Sequence, residues 1–168
     1  MSEQIREVKY SPEEAGQLLQ SLVGTWEGPI RTWFKPDELA DTSSIRATIR
    51  QLPGSNFLIY EYQSSMSGDA FQGVALIGFN VFTGKFEMAW GDSFHQSGHL
   101  LIATGPGIER GFTVTGKYTY DAEQPALEWR TQFQVIDADH LTLTMFNNYP
   151  PGNEYKGVEA EYQRTATS

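Results

Sequence analysis

The sequence predicts an all-β protein: a closed antiparallel up-and-down barrel of about ten strands, with one short N-terminal helix capping an end. Three observations carry this expectation. After Gly24 the apolar pattern takes period two and keeps it to Arg164, through ten strand-like runs. Turn-forming residues separate the runs, and the 16 glycines, mostly beside aromatic or β-branched stretches, mark turns and bulges. Only one segment has helical spacing, so helices cannot cover a sheet of this size and the strands must bury their apolar face against themselves. Closure also removes exposed edges. A two-layer sandwich is the alternative way to achieve the same burial.

The whole chain, 1–168, is expected to be a single domain, with residues 1–10 a flexible tail. Ser11-Pro12-Glu13-Glu14 is a capping box with proline at the first helical position. Leu18, Leu19 and Leu22 recur at helical spacing, giving a short amphipathic helix that ends at Gly24 and plugs one mouth of the barrel next to Trp26. The strand-like runs are 25–34, 44–52, 56–64, 71–82, 85–95, 98–105, 111–120, 126–137, 140–148 and 154–164. Pro53-Gly54, Thr83-Gly84, Gly105-Pro106-Gly107 and Asp137-Ala138-Asp139 read as turns between them. Lys35 to Ser43 is polar and acid-rich, with Pro36-Asp37-Glu38-Leu39 suited to one helical turn, and is expected to loop over the open end.

Alternation sorts the faces. With Trp26 inward, Gly28, Ile30, Thr32 and Phe34 follow it, and Trp33 is left outside. In the last run Arg164 shares its phase with Tyr162, Ala160 and Val158, while Glu159 and Glu161 face solvent. In the run from Lys85 the inward set is Phe86, Met88 and Trp90, followed by Asp92. A buried carboxylate costs several kcal/mol unless it is paired or hydrogen-bonded. Arg130, His95, a backbone turn or a ligand could satisfy Asp92; a bulge at Gly91 would instead turn it toward water.

Composition narrows the partners. The formal charge of -9 comes from 21 acids against 12 scattered bases, which lacks the basic footprint that nucleic acid requires. With no cysteine there is no disulfide framework, thiolate metal site or cysteine nucleophile. The first residues lack an apolar leader core and no apolar run reaches spanning length, so the expected location is cytoplasmic, with no membrane partner.

Trp90-Gly91-Asp92-Ser93-Phe94-His95 places a carboxylate, a hydroxyl and an imidazole beside an indole. Asp92 and His95 face opposite sides of a straight strand, so they meet only if the chain bends. Ser93 and His95 share a face, yet no nucleophile-elbow signature accompanies them. A hairpin through Gln96-Ser97-Gly98 would set His95 beside His99, the weak metal candidates, with Asp92 as a third ligand. Without a second cluster of His, Asp or Glu to support them, the reading is no metal. Arg130 lies on a polar strand face opposite Trp129; a bulge would be needed to turn it inward toward a ligand carboxylate or Asp92. The stretch from Asn147 to Glu154 is first a turn and second a rim of the site.

The expected ligand-binding set is therefore Tyr60, Met88, Trp90, Asp92, His95, Trp129, Arg130 and Asn147, holding an amphipathic or hydrophobic small molecule in an internal cavity. The alternative is a small isomerase, lyase or hydrolase using Asp92, His95 and Arg130 in the barrel mouth. A third idea is a homodimer contact through an exposed Trp33.

Gly24-Thr25-Trp26 and the late Arg164 resemble the signature of lipocalin-like (calycin-type) and fatty-acid-binding-protein-like barrels, a resemblance that implies an indole packed over one end and an arginine lying across it. From Leu22 to Arg164 the chain is similar to the largely bacterial family known as domain of unknown function 1579. The matching stretches include Leu22-Val23-Gly24-Thr25-Trp26-Glu27-Gly28, Phe57-Leu58-Ile59-Tyr60-Glu61-Tyr62, Trp90-Gly91-Asp92-Ser93-Phe94-His95 and Trp129-Arg130-Thr131. That family implies a lipocalin-like barrel and brings no assigned ligand. Haem-binding nitrobindin barrels resemble the chain in its Gly-Thr-Trp opening, but they take an axial histidine from a late strand. The segment Glu154 to Arg164 has none, so no cofactor is expected.

Overall fold

The computed structural model describes residues 4–96 and 98–165, and strands dominate it. Helix α1 (Pro12–Leu22) starts at the capping box: Ser11 Oγ accepts from the Glu14 N–H, and Glu14 Oε1 accepts from the Ser11 N–H. The strands are β1 (Glu7–Val8), β2 (Gly24–Lys35), β3 (Glu38–Gln51), β4 (Leu58–Met66), β5 (Asp69–Asn80), β6 (Lys85–Asp92), β7 (Leu101–Gly105), β8 (Gly107–Ile108), β9 (Gly111–Tyr118), β10 (Leu127–Asp137), β11 (His140–Asn148) and β12 (Glu154–Arg164). Each of β2 to β6 pairs with the strand that follows it, and so does each of β9 to β11. Strand β12 pairs with β2, and β7 reaches β9 through Ala103↔Gly116 and Thr104↔Thr115. The ring is a closed antiparallel barrel of ten strands, as the alternation predicted and consistent with a lipocalin-like arrangement. No helix among the described residues is long and apolar enough to cross a membrane.

Two segments differ from expectation. Lys35 to Ser43 is not a loop with a helical turn: β2 and β3 form one long hairpin, turning at Pro36-Asp37, with Asp37 in the left-handed region at φ 58. The alternation is invisible there because the start of β3 projects past the core and both its faces meet water. The supposed tail is also partly docked. Strand β1 pairs with β8, and the Tyr10 hydroxyl donates to the Ile108 carbonyl while its ring packs edge-on against Phe86. Residues 1–3 lie outside the described residues.

The antiparallel order defines two ends. The helix end carries α1 and the turns 52–57, 81–84 and 138–139; the far end carries the turns 36–37, 67–68, 119–126 and 149–153 and the described residues 93–96 and 98–100 between β6 and β7. At the helix end Ala15, Leu19 and Leu22 are buried against the barrel interior beside Trp26. A helix leaves its last carbonyls without intrahelical partners, and α1 has no basic residue in its last turn. Trp26 and Arg164 supply what is missing. Trp26 Nε1 donates to the Leu22 carbonyl (2.9 Å), Arg164 Nη1 to that of Val23 (2.6 Å) and Nη2 to that of Ser21 (2.9 Å). The guanidinium lies 4.2 Å from the centroid of the Trp26 ring. Gly24, at φ 150, makes room, since a Cβ there would collide with Arg164 Nη1.

Large rings fill the middle of the barrel. Phe86 stacks on Phe112 (4.6 Å) and Phe112 on Phe133 (5.0 Å), while Tyr60 meets Phe133 edge-on and shares a 2.5 Å hydrogen bond with the Tyr162 hydroxyl. Ile30, Thr32, Val158, Ala160 and Tyr162 face this core. Phe34 does not: the register shifts on either side of Trp33 leave it 57% exposed. Trp33 itself is half-buried, with the Lys156 ammonium over its ring.

Candidate functional site

The far end holds the polar constellation. Asp92 ends β6 at inward parity, following Phe86, Met88 and Trp90, and its side chain is fully buried. The chain then leaves the sheet. Ser93 continues the ladder for one residue, its N–H donating to the Gln72 carbonyl and its Oγ accepting from the Gln72 N–H. A turn over 93–95 follows, which brings the N–H groups of Phe94 and His95 onto Asp92 Oδ1 and sets His95 Nδ1 2.7 Å from Oδ2. The Tyr62 hydroxyl donates to the same Oδ2 (2.6 Å) and accepts from Trp90 Nε1 (2.8 Å). Gln96 Oε1 accepts from the Asp92 N–H (2.9 Å).

A bare Cα makes this network possible. Tyr62, Gly73 and Asp92 lie in one row across β4, β5 and β6. A Cβ on Gly73 would fall inside the Tyr62 ring, so glycine lets the phenol lie across the sheet and reach a carboxylate two strands away.

Electrostatics follow from the partners. Burial pushes the Asp92 carboxyl up, but the His95 imidazole, the Tyr62 hydroxyl and the His95 N–H outweigh it and hold the group below the usual carboxylate range. Burial, reinforced by the Asp92 charge, holds the Tyr62 hydroxyl well above its ordinary value, so it stays a donor. A carboxylate only accepts, so His95 Nδ1 carries the proton of the shared bond. The remaining nitrogen, Nε2, is left to whatever the ring faces.

That ring faces a pocket of about 140 Å³. Its walls are Trp90 and Trp129, near-parallel at 6.0 Å and 18°, with Tyr118 edge-on to Trp129; His95, Gln96 and His99 form its rim. Two polar atoms on successive inward positions of β10, Trp129 Nε1 and Thr131 Oγ1, are buried without a hydrogen-bond partner. Each such atom costs about 1–3 kcal/mol. A larger groove of about 830 Å³ crosses the outer face of β3 to β6, but it is a surface trough among exposed side chains such as Arg46, Gln63 and Gln72.

The candidate residues separate accordingly. Trp90, His95 and Trp129 line the pocket, and Asp92 stands behind His95. Asn147 acts one step back, accepting from the Tyr118 hydroxyl (2.8 Å) and donating to that of Tyr155 (3.2 Å). Tyr60 and Met88 are buried in the packed core and do not line this pocket. Arg130 is a correction: β10 keeps strict alternation through Trp129, Thr131 and Phe133, with no bulge before Val135, so the guanidinium stays on the outer face. There it forks onto Glu154 (3.0 and 2.8 Å) and stacks over Phe146 (3.9 Å). The predicted histidine hairpin turns at Ser97, which lies outside the described residues; the flanking strands end at Asp92 and resume at Leu101, so neither His95 nor His99 is a strand residue. Among the described residues no three His, Asp or Glu side chains gather as metal ligands. Ser93 is engaged with Gln72, away from His95. Sequence reasoning missed Tyr62, Gln96, Tyr118 and Thr131. Tyr62 shares the parity of Tyr60, but its role depends on Gly73 lying opposite, which only the strand register reveals.

The chain belongs to the family described as protein of unknown function (DUF1579), which matches residues 11–164. Among solved structures it is similar to the crystal structure of Rv2717c from M. tuberculosis, with a TM-score of 0.63 and 17% identity over 90% of this chain and 98% of that one. At that identity the likeness concerns the barrel alone. No curated protein matches the chain.

Proposed function

We propose that this protein is a small-molecule-binding barrel whose ligand enters the far end and rests a flat apolar group against the Trp90 and Trp129 indoles, beside the His95 rim. The observation that carries the reading is the unpartnered indole N–H of Trp129, a residue in the wall of an otherwise apolar slot. A ligand acceptor would remove that cost. The volume of about 140 Å³ sets the size. It approaches the roughly 150 Å³ engineered cavity that takes benzene, so the enclosed part is one ring and the rest of the molecule projects outward. An enzyme that uses Asp92, His95 and Arg130 together is not part of this reading, because Arg130 and the pocket lie on opposite faces of β10.

Native mass spectrometry of protein purified without detergent, combined with displacement of a hydrophobic dye, tests the proposal. One ligand per chain, or saturable dye binding weakened by Trp129→Ala, supports it. No bound species together with dye binding indifferent to that substitution refutes it.

A further inference from the structure

We propose that His95 is a proton acceptor for a phenol-class ligand: a ring bound against the two indoles whose hydroxyl donates to His95 Nε2 and passes it the proton. The inference rests on the pocket reading above and adds the chemical class of the ligand. Its basis is the arrangement around the imidazole. Asp92, fully buried behind the ring, takes the Nδ1–H. The carboxylate itself is anchored by two backbone N–H groups and by Tyr62, so it cannot swing away to serve the ligand directly. The imidazole therefore has one nitrogen left for the pocket it lines, and a fixed anion behind it to stabilise the imidazolium.

The lining excludes a permanently charged acid as the better fit. A carboxylate would have to give up its hydration on entry, and no lysine or arginine lines the pocket to offset that cost. A phenol enters neutral, which suits the apolar walls, and acquires charge only where His95 receives its proton. In that step the ligand O–H bond breaks, the oxygen keeps the electron pair, and an N–H bond forms at Nε2. The other titratable groups around His95 are Tyr62, bound to the same carboxylate, Tyr118 across the pocket and His99 on the rim. Phe71, Phe94, Trp90 and Trp129 supply the remaining ring contacts and carry no charge.

The probes are 4-nitrophenol, whose ionisation is read from its visible absorbance, and 4-nitroanisole, which has the same ring and no acidic proton. Both should bind the wild type. The apparent ionisation midpoint of bound 4-nitrophenol should fall by about one pH unit from its value in buffer, a tenfold preference for the ionised form. In His95→Gln, whose folding is checked by cooperative thermal unfolding, the shift should vanish for the 4-nitrophenol that binds. If 4-nitroanisole binds and 4-nitrophenol ionises as in buffer, or shifts equally in His95→Gln, the proton-acceptor inference is wrong and the pocket survives. If neither probe binds, the pocket reading itself fails and this inference falls with it.

Discussion

The two ends of the barrel treat polar groups in opposite ways. At the helix end, Trp26 and Arg164 direct their donors to the last carbonyls of α1, which the helix cannot satisfy alone. At the far end a carboxylate, an imidazole and an amide are gathered behind one wall, while the N–H of the neighbouring indole goes unpartnered. The difference teaches where stability and binding reside. The helix end supplies side-chain donors to three successive carbonyls, as a structural cap does, and the far end tolerates an uncompensated cost, as binding sites commonly do.

Substitutions can break that comparison. The largest effect is expected for Trp26→Ala, which empties a buried indole site at the helix end and should lower unfolding free energy by about 3–5 kcal/mol in urea titration, with dye affinity unchanged. Loss of dye binding in the folded variant would show that the ends are coupled. Next comes Asp92→Asn, expected to cost about 3 kcal/mol because the Tyr62 hydroxyl and the His95 Nδ1–H lose their acceptor. This cost has a pH signature. The folded carboxyl is held below its unfolded value, which is near 3.9, so its contribution is complete above about pH 4 and is lost as pH falls through the folded value. The gap between wild type and Asp92→Asn should therefore narrow on acidification; a gap constant from neutral pH to pH 3 would remove Asp92 from the account.

Gly73→Ala should cost about 1–3 kcal/mol by driving a methyl group into the Tyr62 ring. A structure of the variant should show the Tyr62–Asp92 bond broken; an intact bond would mean that the strand yields instead. The smallest effect sharpens the contrast. Trp129→Phe deletes the unpartnered N–H, so stability should hold or rise by up to about 1 kcal/mol while dye affinity drops. A clear loss of stability would mean that the indole serves the core.

The sequence reveals these regions unequally. The ten barrel strands are legible because a half-buried strand must alternate, and the capping box before α1 is a local pattern. The start of β3 escapes because both its faces are wet. Asp92 is flagged by parity alone, as the first charge on an apolar face. Of its partners, His95 is a candidate in the sequence, but only the turn, which strand spacing does not encode, decides that the two meet; Tyr62 is missed, because it arrives through a register that pairs it with Gly73. The filled middle is also beyond sequence pattern. Alternation shows that Tyr60, Phe86 and Met88 point inward, but whether inward rings meet or enclose space depends on barrel geometry.

The arginine that seals the first helix has a consequence for assembly. Ser21 and Val23 wait for a donor 143 and 141 residues downstream, so during synthesis the plug has only its local Trp26 bond until residue 164 has left the ribosome. Nascent chains short of that point should present an unlatched helix to proteases, and the final strand should complete the barrel and latch the helix in one concerted event. A fold tied shut at so great a chain separation belongs with the slow folders.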